Sequence, residues 1–438
     1  MQFFYKHSSG VSKKDIDKTA QRLTPYISRL NTVAQMQHYE DYESSINLPF
    51  DAAIHDAVLA LKQKKTSQKL KYILIIGIGG SNLGAKAIYD ALLGSTDVLE
   101  PDRFPKLIFA DTLDPECANR LRAFLRTRIQ NADEILVNAI SKSGSTIETI
   151  AYTEFIAEIL RERFKNTLER LVVTTDEGSQ LWKEADKKKC SLLEIPQKVG
   201  GRFSVLSNAG LFPLACAGID TSALLDGARK MRAKCLLSNL SENPAALSAS
   251  ILFWHYKRGI CIHDTFLFHP ELESLGKWYR QLLGESIGKE KNINGETVRA
   301  GITPTVSIGS TDLHSVGQLY LGGPKDKITT FIFAQSKEEV KVPKNQQFAN
   351  LAPDIKEKSF HVIMKAIFDG VKVAYKNTGL PFMEIAFSEI SPRELGAFMQ
   401  FKMIETMYLG FLLNVNAFDQ PHVEAYKSET KKILRSLS

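Results

Sequence analysis

The spacing of apolar residues along this 438-residue chain changes at Lys71. Before it the pattern is one of helices and connecting loops, clearest over Ala52 to Lys62, where apolar positions recur at helical spacing. After it, Tyr72-Ile73-Leu74-Ile75-Ile76 is a continuous apolar run of β type that ends in Gly77-Ile78-Gly79-Gly80-Ser81, and Leu83 to Leu93 turns helical. Three more strand-like runs, Lys106 to Ala110, Ile135 to Ile140 and Leu171 to Thr175, alternate with helical patterns at Cys117 to Arg126, Ile147 to Arg163 and Gln180 to Lys187. Apolar strands separated by helices specify a parallel sheet covered on both faces.

After Gly200 to Gly210 the chain reads as helical to about Gly259, and a second series begins at Ile260 to Phe268. Its further strands are Thr305 to Ile308, Ile328 to Phe333 and Phe382 to Phe387, with a helix over Phe360 to Lys376. The two series share a plan and no residue-level repeat. Ser391-Pro392-Arg393-Glu394 supplies an N-cap, a proline at the first helical position and a capping-box glutamate, opening a long apolar helix to about Leu413. Pro421 to Leu437 reads as a final amphipathic helix. The length exceeds what one hydrophobic core serves. The expected fold is α/β: two doubly wound domains with parallel-sheet cores, each a three-layer α/β/α stack, plus N- and C-terminal helical segments. The divisions fall at residues 1–65, 66–198, 199–390 and 391–438.

Composition, with 44% hydrophobic and 24% charged residues, is that of a soluble globular protein. The formal charge of +7 is mild over this length and suits solvated surface lysines as well as an anionic substrate. Neither Lys187 to Lys189 nor Lys431-Lys432 has interleaved aromatics or a nucleic-acid motif, so nucleic acid is not an expected partner. Five widely spaced cysteines without C-x-x-C, and nine histidines without an H-x-x-x-H pair, argue against disulfides and against a metal site. No stretch approaches the roughly 20 apolar residues of a membrane helix, and no signal-type apolar core follows Met1 to Gly10. A cytoplasmic protein, off the membrane, is expected.

Candidate chemistry gathers where strands give way to helices, because phosphates favour the N–H groups at helix starts. Gly77-Ile78-Gly79-Gly80-Ser81-Asn82 resembles a dinucleotide turn but has Asn82 where the third glycine belongs, and no Gly-Lys-Ser/Thr follows. Ser141-Lys142-Ser143-Gly144-Ser145-Thr146 packs four hydroxyls and a lysine into one turn, a phosphate cradle without metal, or else an N-cap with spare serines. Gly200-Gly201-Arg202-Phe203-Ser204 and Gly284-Glu285-Ser286-Ile287-Gly288-Lys289 set one arginine and one glutamate among glycines. A cationic fork to hold an oxyanion and a carboxylate to move a proton are the minimum for interconverting an aldehyde and a ketone through an enediolate. Taken singly, Glu285, His314 and Lys427 could each be an ordinary solvated or structural side chain.

Their joint order, with Leu313-His314-Ser315 and Phe418-Asp419-Gln420-x-x-Val423-Glu424-x-x-Lys427, closely resembles the phosphoglucose isomerase family from Ile76 to Lys427. The resemblance implies two sugar-isomerase-type domains, a homodimer, no cofactor, no metal, and reversible conversion of glucose 6-phosphate to fructose 6-phosphate in glycolysis and gluconeogenesis. It implies that the phosphate rests on Ser141, Ser143 and Thr146 beside Lys142, that Arg202 stabilises the enediolate, and that Glu285 carries the proton between C2 and C1. Gly80, Ser81, Gln281 and Gln420 would line the site. His314 and Lys427 match ring-opening residues, with His314 reaching the neighbouring subunit. Two departures stand out: Pro421-His422 where many members have Trp-Gly, and Phe203 in place of a frequent tyrosine. Rival readings are another sugar-phosphate aldose–ketose isomerase, including one that also takes mannose 6-phosphate, and a non-catalytic sugar-phosphate sensor. The sensor would have no reason to keep Arg202, Glu285, His314 and Lys427 together.

Overall fold

The structure is a computed structural model describing residues 1–437, without the side chains of Ser95 and Thr96, so Ser438 lies outside the described residues. In chain order its strands are β1 (Gln2–Phe4), β2 (Tyr72–Ile76), β3 (Lys106–Ala110), β4 (Ile135–Ile140), β5 (Leu171–Thr175) and β6 (Ser191–Glu194). There follow β7 (Ile262–Leu267), β8 (Lys289–Lys291), β9 (Thr297–Ala300), β10 (Thr303–Ile308), β11 (Lys327–Ala334) and β12 (Phe382–Phe387). One sheet has the order β3-β2-β4-β5-β6 and is parallel throughout. The other, read from its far edge, is β10-β7-β11-β12-β1, parallel except for β1. Both follow one plan: the first strand of the series lies inside, the second goes to one side, and the next ones cross to the other. Strands β4 and β11 are buried along their whole length, so their apolar residues do not alternate with exposed polar ones, and the polar Asn138, Thr329 and Thr330 within them are buried too.

Three short elements depart from the sequence expectation. The N-terminal segment is not only helical, because β1 pairs antiparallel with β12, Phe3 opposite Ile385. Strand β6 extends the first sheet beyond its four expected strands, and β8 with β9 forms a separate antiparallel hairpin. Each of these strands has three or four residues, too few for a period of two to stand out. The capping box at Ser391 is half formed. Ser391 Oγ accepts from Glu394 N at 3.4 Å, but the Glu394 carboxylate accepts instead from the Met1 amino group at 2.7 Å.

Helix Pro392–Leu413 runs through the interior and is buried over nearly all its length, against helices Thr221–Cys235, Pro244–Lys257 and Glu273–Ile287. A Cβ on Gly396 would lie 1.9 Å from the Leu224 carbonyl oxygen, and one on Gly227 would lie 1.9 Å from that of Arg393. The two helix backbones therefore touch, and only glycine fits on either side. Lys402 and Glu405 form a 2.9 Å ion pair with no exposure, and Glu405 also accepts the Tyr279 hydroxyl at 2.8 Å. Burial draws the Lys402 ammonium below its ordinary range, so the carboxylate opposite it is what keeps a charge there tolerable. Tyr279 belongs to helix Glu273–Ile287, and this buried group thus ties that helix to the centre of the molecule.

Candidate active site

In the first sheet the chain leaves β2 for β3 on one side and later enters β4 on the other, so the ends of β2 and β4 flank a crevice of the kind that takes ligands in open parallel sheets. After β2 comes the short 3-10 turn Gly79–Ser81, which carries Gly80 and Ser81. After β4 comes the Ser141-to-Thr146 turn, opening helix Ile147–Arg163. Ser141 is buried, and its hydroxyl lies 2.9 Å from that of Thr146. Thr146 spends its side chain there and makes no capping bond to the helix, which leaves the first-turn N–H groups uncapped by it. Ser143 is exposed at the tip. Lys142 is half-buried, and burial lowers its pKa, with Asp176 acting against this and Arg202 and Lys198 adding to it. Arg202 is therefore close enough for its charge to be felt at this turn.

Arg202 stands on the turn Gly201–Phe203, and a Cβ on Gly80 would lie 2.2 Å from the Gly201 carbonyl carbon. Two glycine-rich turns more than a hundred residues apart are thus stacked backbone on backbone. Phe203, fully buried and packed on Phe418 at 5.5 Å between ring centroids, anchors the arginine turn. The guanidinium is 3% exposed and every nitrogen has a partner. Nε donates to Ser286 Oγ at 2.7 Å, and Nη2 to the carbonyls of Ala417 at 2.6 Å and Asp419 at 3.2 Å. Nη1 reaches Glu285 Oε2 at 3.4 Å and Gln420 Oε1 at 3.1 Å. Burial lowers the arginine's pKa, with Glu285 and Asp419 acting in the opposite sense, and a guanidinium in this setting stays cationic.

Gln281 and Glu285 are one turn apart on helix Glu273–Ile287 and so share a face, where Gln281 Nε2 donates to Glu285 Oε1 at 3.1 Å. The carboxylate is therefore held at both oxygens, one by a neutral amide and one by the buried cation. Its side chain remains 30% exposed, so a substrate can reach it. Such a group can take a proton from carbon while the guanidinium beside it meets the oxygen that becomes negative.

The sequence pattern of phosphoglucose isomerase matches residues 60–438. The chain belongs to the phosphoglucose isomerase family. Glucose-6-phosphate isomerase of Carboxydothermus hydrogenoformans is 33% identical over 440 residues, covering 98% of this chain and 92% of that protein. The enzyme of that name from Mycoplasmopsis synoviae is 31% identical, covering 96% and 97%. Among solved structures, a hypothetical protein from Thermus thermophilus superposes with a TM-score of 0.85 at 31% identity, covering 99% of each chain. A glucose-6-phosphate isomerase from Chlamydia trachomatis shares the fold, with a TM-score of 0.84 at 22% identity, covering 99% of this chain and 88% of that one.

Of the residues that the family resemblance nominates, this single chain brings Arg202, Glu285, Gln281 and Gln420 into direct contact and stacks Gly80 against the arginine turn. Two others stand apart. His314 ends the turn Thr311–His314 after β10, exposed, and among the described residues it makes no hydrogen bond or ion pair to Arg202 or Glu285. Lys427 lies on helix Pro421–Ser436, where its ammonium pairs with Glu424 at 2.7 Å. The departure at Pro421-His422 leaves Gln420 on Arg202: Pro421 starts the helix and His422 turns toward Glu290 at 3.2 Å. Sequence reasoning missed Ser286, Lys289 and Asp419. The first two lie inside the Gly284-to-Lys289 string and Asp419 precedes Gln420, so adjacency to motif residues was the available signal.

Proposed function

We propose that this chain interconverts D-glucose 6-phosphate and D-fructose 6-phosphate, and that the Arg202–Glu285 pair, 3.4 Å apart and flanked by Gln281 and Gln420, is where the reaction occurs. The Ser141-to-Thr146 turn, with Lys142, binds the phosphate. With glucose 6-phosphate open, Glu285 takes the C2 proton, the electron pair moves through a new C1–C2 double bond onto the C1 oxygen to give the cis-enediolate, and Arg202 neutralises that oxygen. As the C2 hydroxyl proton passes to the C1 oxygen, Glu285 returns its proton to C1 and the C2 carbonyl forms. No metal or cofactor is needed for these steps. Family membership and relatives named glucose-6-phosphate isomerase over nearly the whole chain support this reading.

Ring opening falls to His314 and Lys427. The active unit in this reading is a homodimer in which His314 serves the neighbour's site, a role supported by its Leu-His-Ser context matching the family and by its exposure on its own chain. Lys427 exchanges Glu424 for the sugar as the exposed C-terminal helix adjusts. The five cysteines are unpaired, which suits a reducing cytoplasm.

The test is formation of glucose 6-phosphate from fructose 6-phosphate by the purified chain in excess chelator, with mannose 6-phosphate as competitor substrate. Turnover unaffected by chelator and selective for the glucose–fructose pair is expected. Binding without turnover would favour a sensor. Mixing the inactive variants Glu285→Gln and His314→Ala tests sharing: activity should return as subunits exchange, and hetero-dimers without activity would return His314 to its own chain.

A further inference from the structure

Two buried cations converge on one backbone carbonyl. Arg202 Nη2 donates to the Asp419 carbonyl at 3.2 Å, and Lys289 Nζ donates to the same oxygen and to the Asp419 carboxylate at 2.8 Å. The Lys289 side chain is only 5% exposed, while that of Asp419 is 49% exposed. An ammonium is not buried in this way by chance, since it loses hydration that the pairing has to offset. Burial does pull the lysine's pKa down, with Asp419 opposing.

The segment 414–420 that these cations grip joins helix Pro392–Leu413 to helix Pro421–Ser436 and has no helix or strand of its own. Arg202 makes four of its contacts through this segment and Glu285, and one with Ser286. The guanidinium therefore takes its position from a strap without helix or strand, held at its middle by Phe418 packing on Phe203 and Tyr42. At Asp419, beside the guanidinium, the cation that holds it is Lys289. Lys289 opens β8 directly after Gly288, the residue that ends the helix carrying Glu285, so the base and the clamp on the arginine's support are a few residues apart on one stretch of chain.

We propose that Lys289 is a positioning residue for the isomerisation: by clamping Asp419 it fixes the 414–420 strap and, through its carbonyls, the guanidinium of Arg202 opposite Glu285. Lys289 itself does not touch the sugar. Without it the Asp419 carboxylate keeps the neutral Asn416 amide, at 3.0 Å, but loses its cation while remaining within electrostatic reach of Arg202, so it competes with the enediolate for the guanidinium. This inference rests on the isomerase reading.

The experiment measures kcat and KM for fructose 6-phosphate in full-length variants with native thermal midpoints. Lys289→Met should lower kcat by about 10- to 100-fold, the scale of an ångström-level displacement, and move KM by less than about threefold. Lys289→Arg should recover part of kcat. In Lys289→Met/Asp419→Ala, kcat should be no lower than in Lys289→Met, because the stray carboxylate is gone. Should Lys289→Met not fold, Asp419→Ala decides, since it truncates a half-exposed side chain and keeps the carbonyl; a fall in kcat supports the clamp and an unchanged kcat overturns it. Parent-like kcat in Lys289→Met, or Lys289→Arg no better than Lys289→Met, also overturns it. A parent chain without turnover overturns the isomerase reading and this inference together, whereas an active parent with an indifferent Lys289 overturns this inference alone.

Discussion

The two sheets follow the same strand plan, yet their ligand-side edges are furnished in opposite ways. At the first, the strands on either side of the crevice run into Gly77-Ile78-Gly79-Gly80-Ser81 and the hydroxyl-rich turn from Ser141 to Thr146. At the second, β7 runs into Phe268-His269-Pro270 and β11 into Gln335-Ser336. Phe268 packs on Phe368 at 4.9 Å and on Phe266 at 5.0 Å, within a cluster that includes Phe331, Phe333 and Phe382. Where the first edge carries hydroxyl donors, the second packs aromatic rings. What the second unit gives the proposed site is its helix Glu273–Ile287, which brings Gln281 and Glu285 to the arginine. Topology offers two equivalent crevices; side-chain volume and donor count decide which one can hold an anion.

The comparison breaks most sharply at Glu285. Glu285→Gln keeps the shape and loses the base, so isomerisation should fall by roughly 100- to 10,000-fold, with sugar-phosphate binding retained. Loss of proton exchange at C2 should accompany it in a solvent-tritium assay. Activity within a few-fold of the parent would remove the second unit's helix from the chemistry.

Next in size is Gly80→Ala. Its Cβ would meet the Gly201 backbone at 2.2 Å, forcing the stacked turns apart and displacing Arg202, and kcat should drop by about 100-fold. Gly370→Ala is the matching change in the second unit, at a helical position with nothing within 4 Å. It should leave kcat alone and stabilise by about 0.5–1 kcal/mol in denaturant titration.

Ser143→Asp sets a carboxylate against a dianion and should weaken sugar-phosphate binding by about tenfold or more, as two like charges in one site disfavour each other. Ser336→Asp, at the corresponding place beyond β11, should leave affinity unchanged by calorimetry. Equal losses would mean that the two edges are not distinguished by phosphate.

The last comparison concerns pH. Residues 56–254 contain no histidine, whereas the second unit has His263 fully buried in β7, its Nε2 2.8 Å from Thr330 Oγ1. Burial holds its pKa well below the ordinary value, and Lys402 adds to this; His255 is lowered too, chiefly by burial. The unfolded chain binds protons near pH 6.5 and the folded one does not, so stability is full above that pH and falls as pH drops below it. The loss is at most about 1.4 kcal/mol per histidine per pH unit. Hydrogen exchange between pH 7 and 5.5 should show β7 and β11 losing protection before β2 and β4, and the reverse order would assign acid sensitivity to the first unit.

The sequence by itself determined the regular frame and the nominations. Strands β2, β3, β4, β5 and β12 and helices Ile147–Arg163 and Gln180–Lys187 have the bounds that their apolar spacing indicates, because a buried strand or amphipathic helix writes its period locally in the chain. The motif order also pointed to Arg202, Glu285, Gln281 and Gln420 before any contact was known. Only the tertiary structure decided that β1 closes the second sheet, that Gly80 and Gly201 lie backbone on backbone, and that Lys289 and Arg202 share the carbonyl of Asp419. A three-residue strand is shorter than the window in which a period can be read. A backbone carbonyl is the same at every residue, so an acceptor site built from Ala417 and Asp419 leaves no mark in the sequence and exists only once the chain has folded.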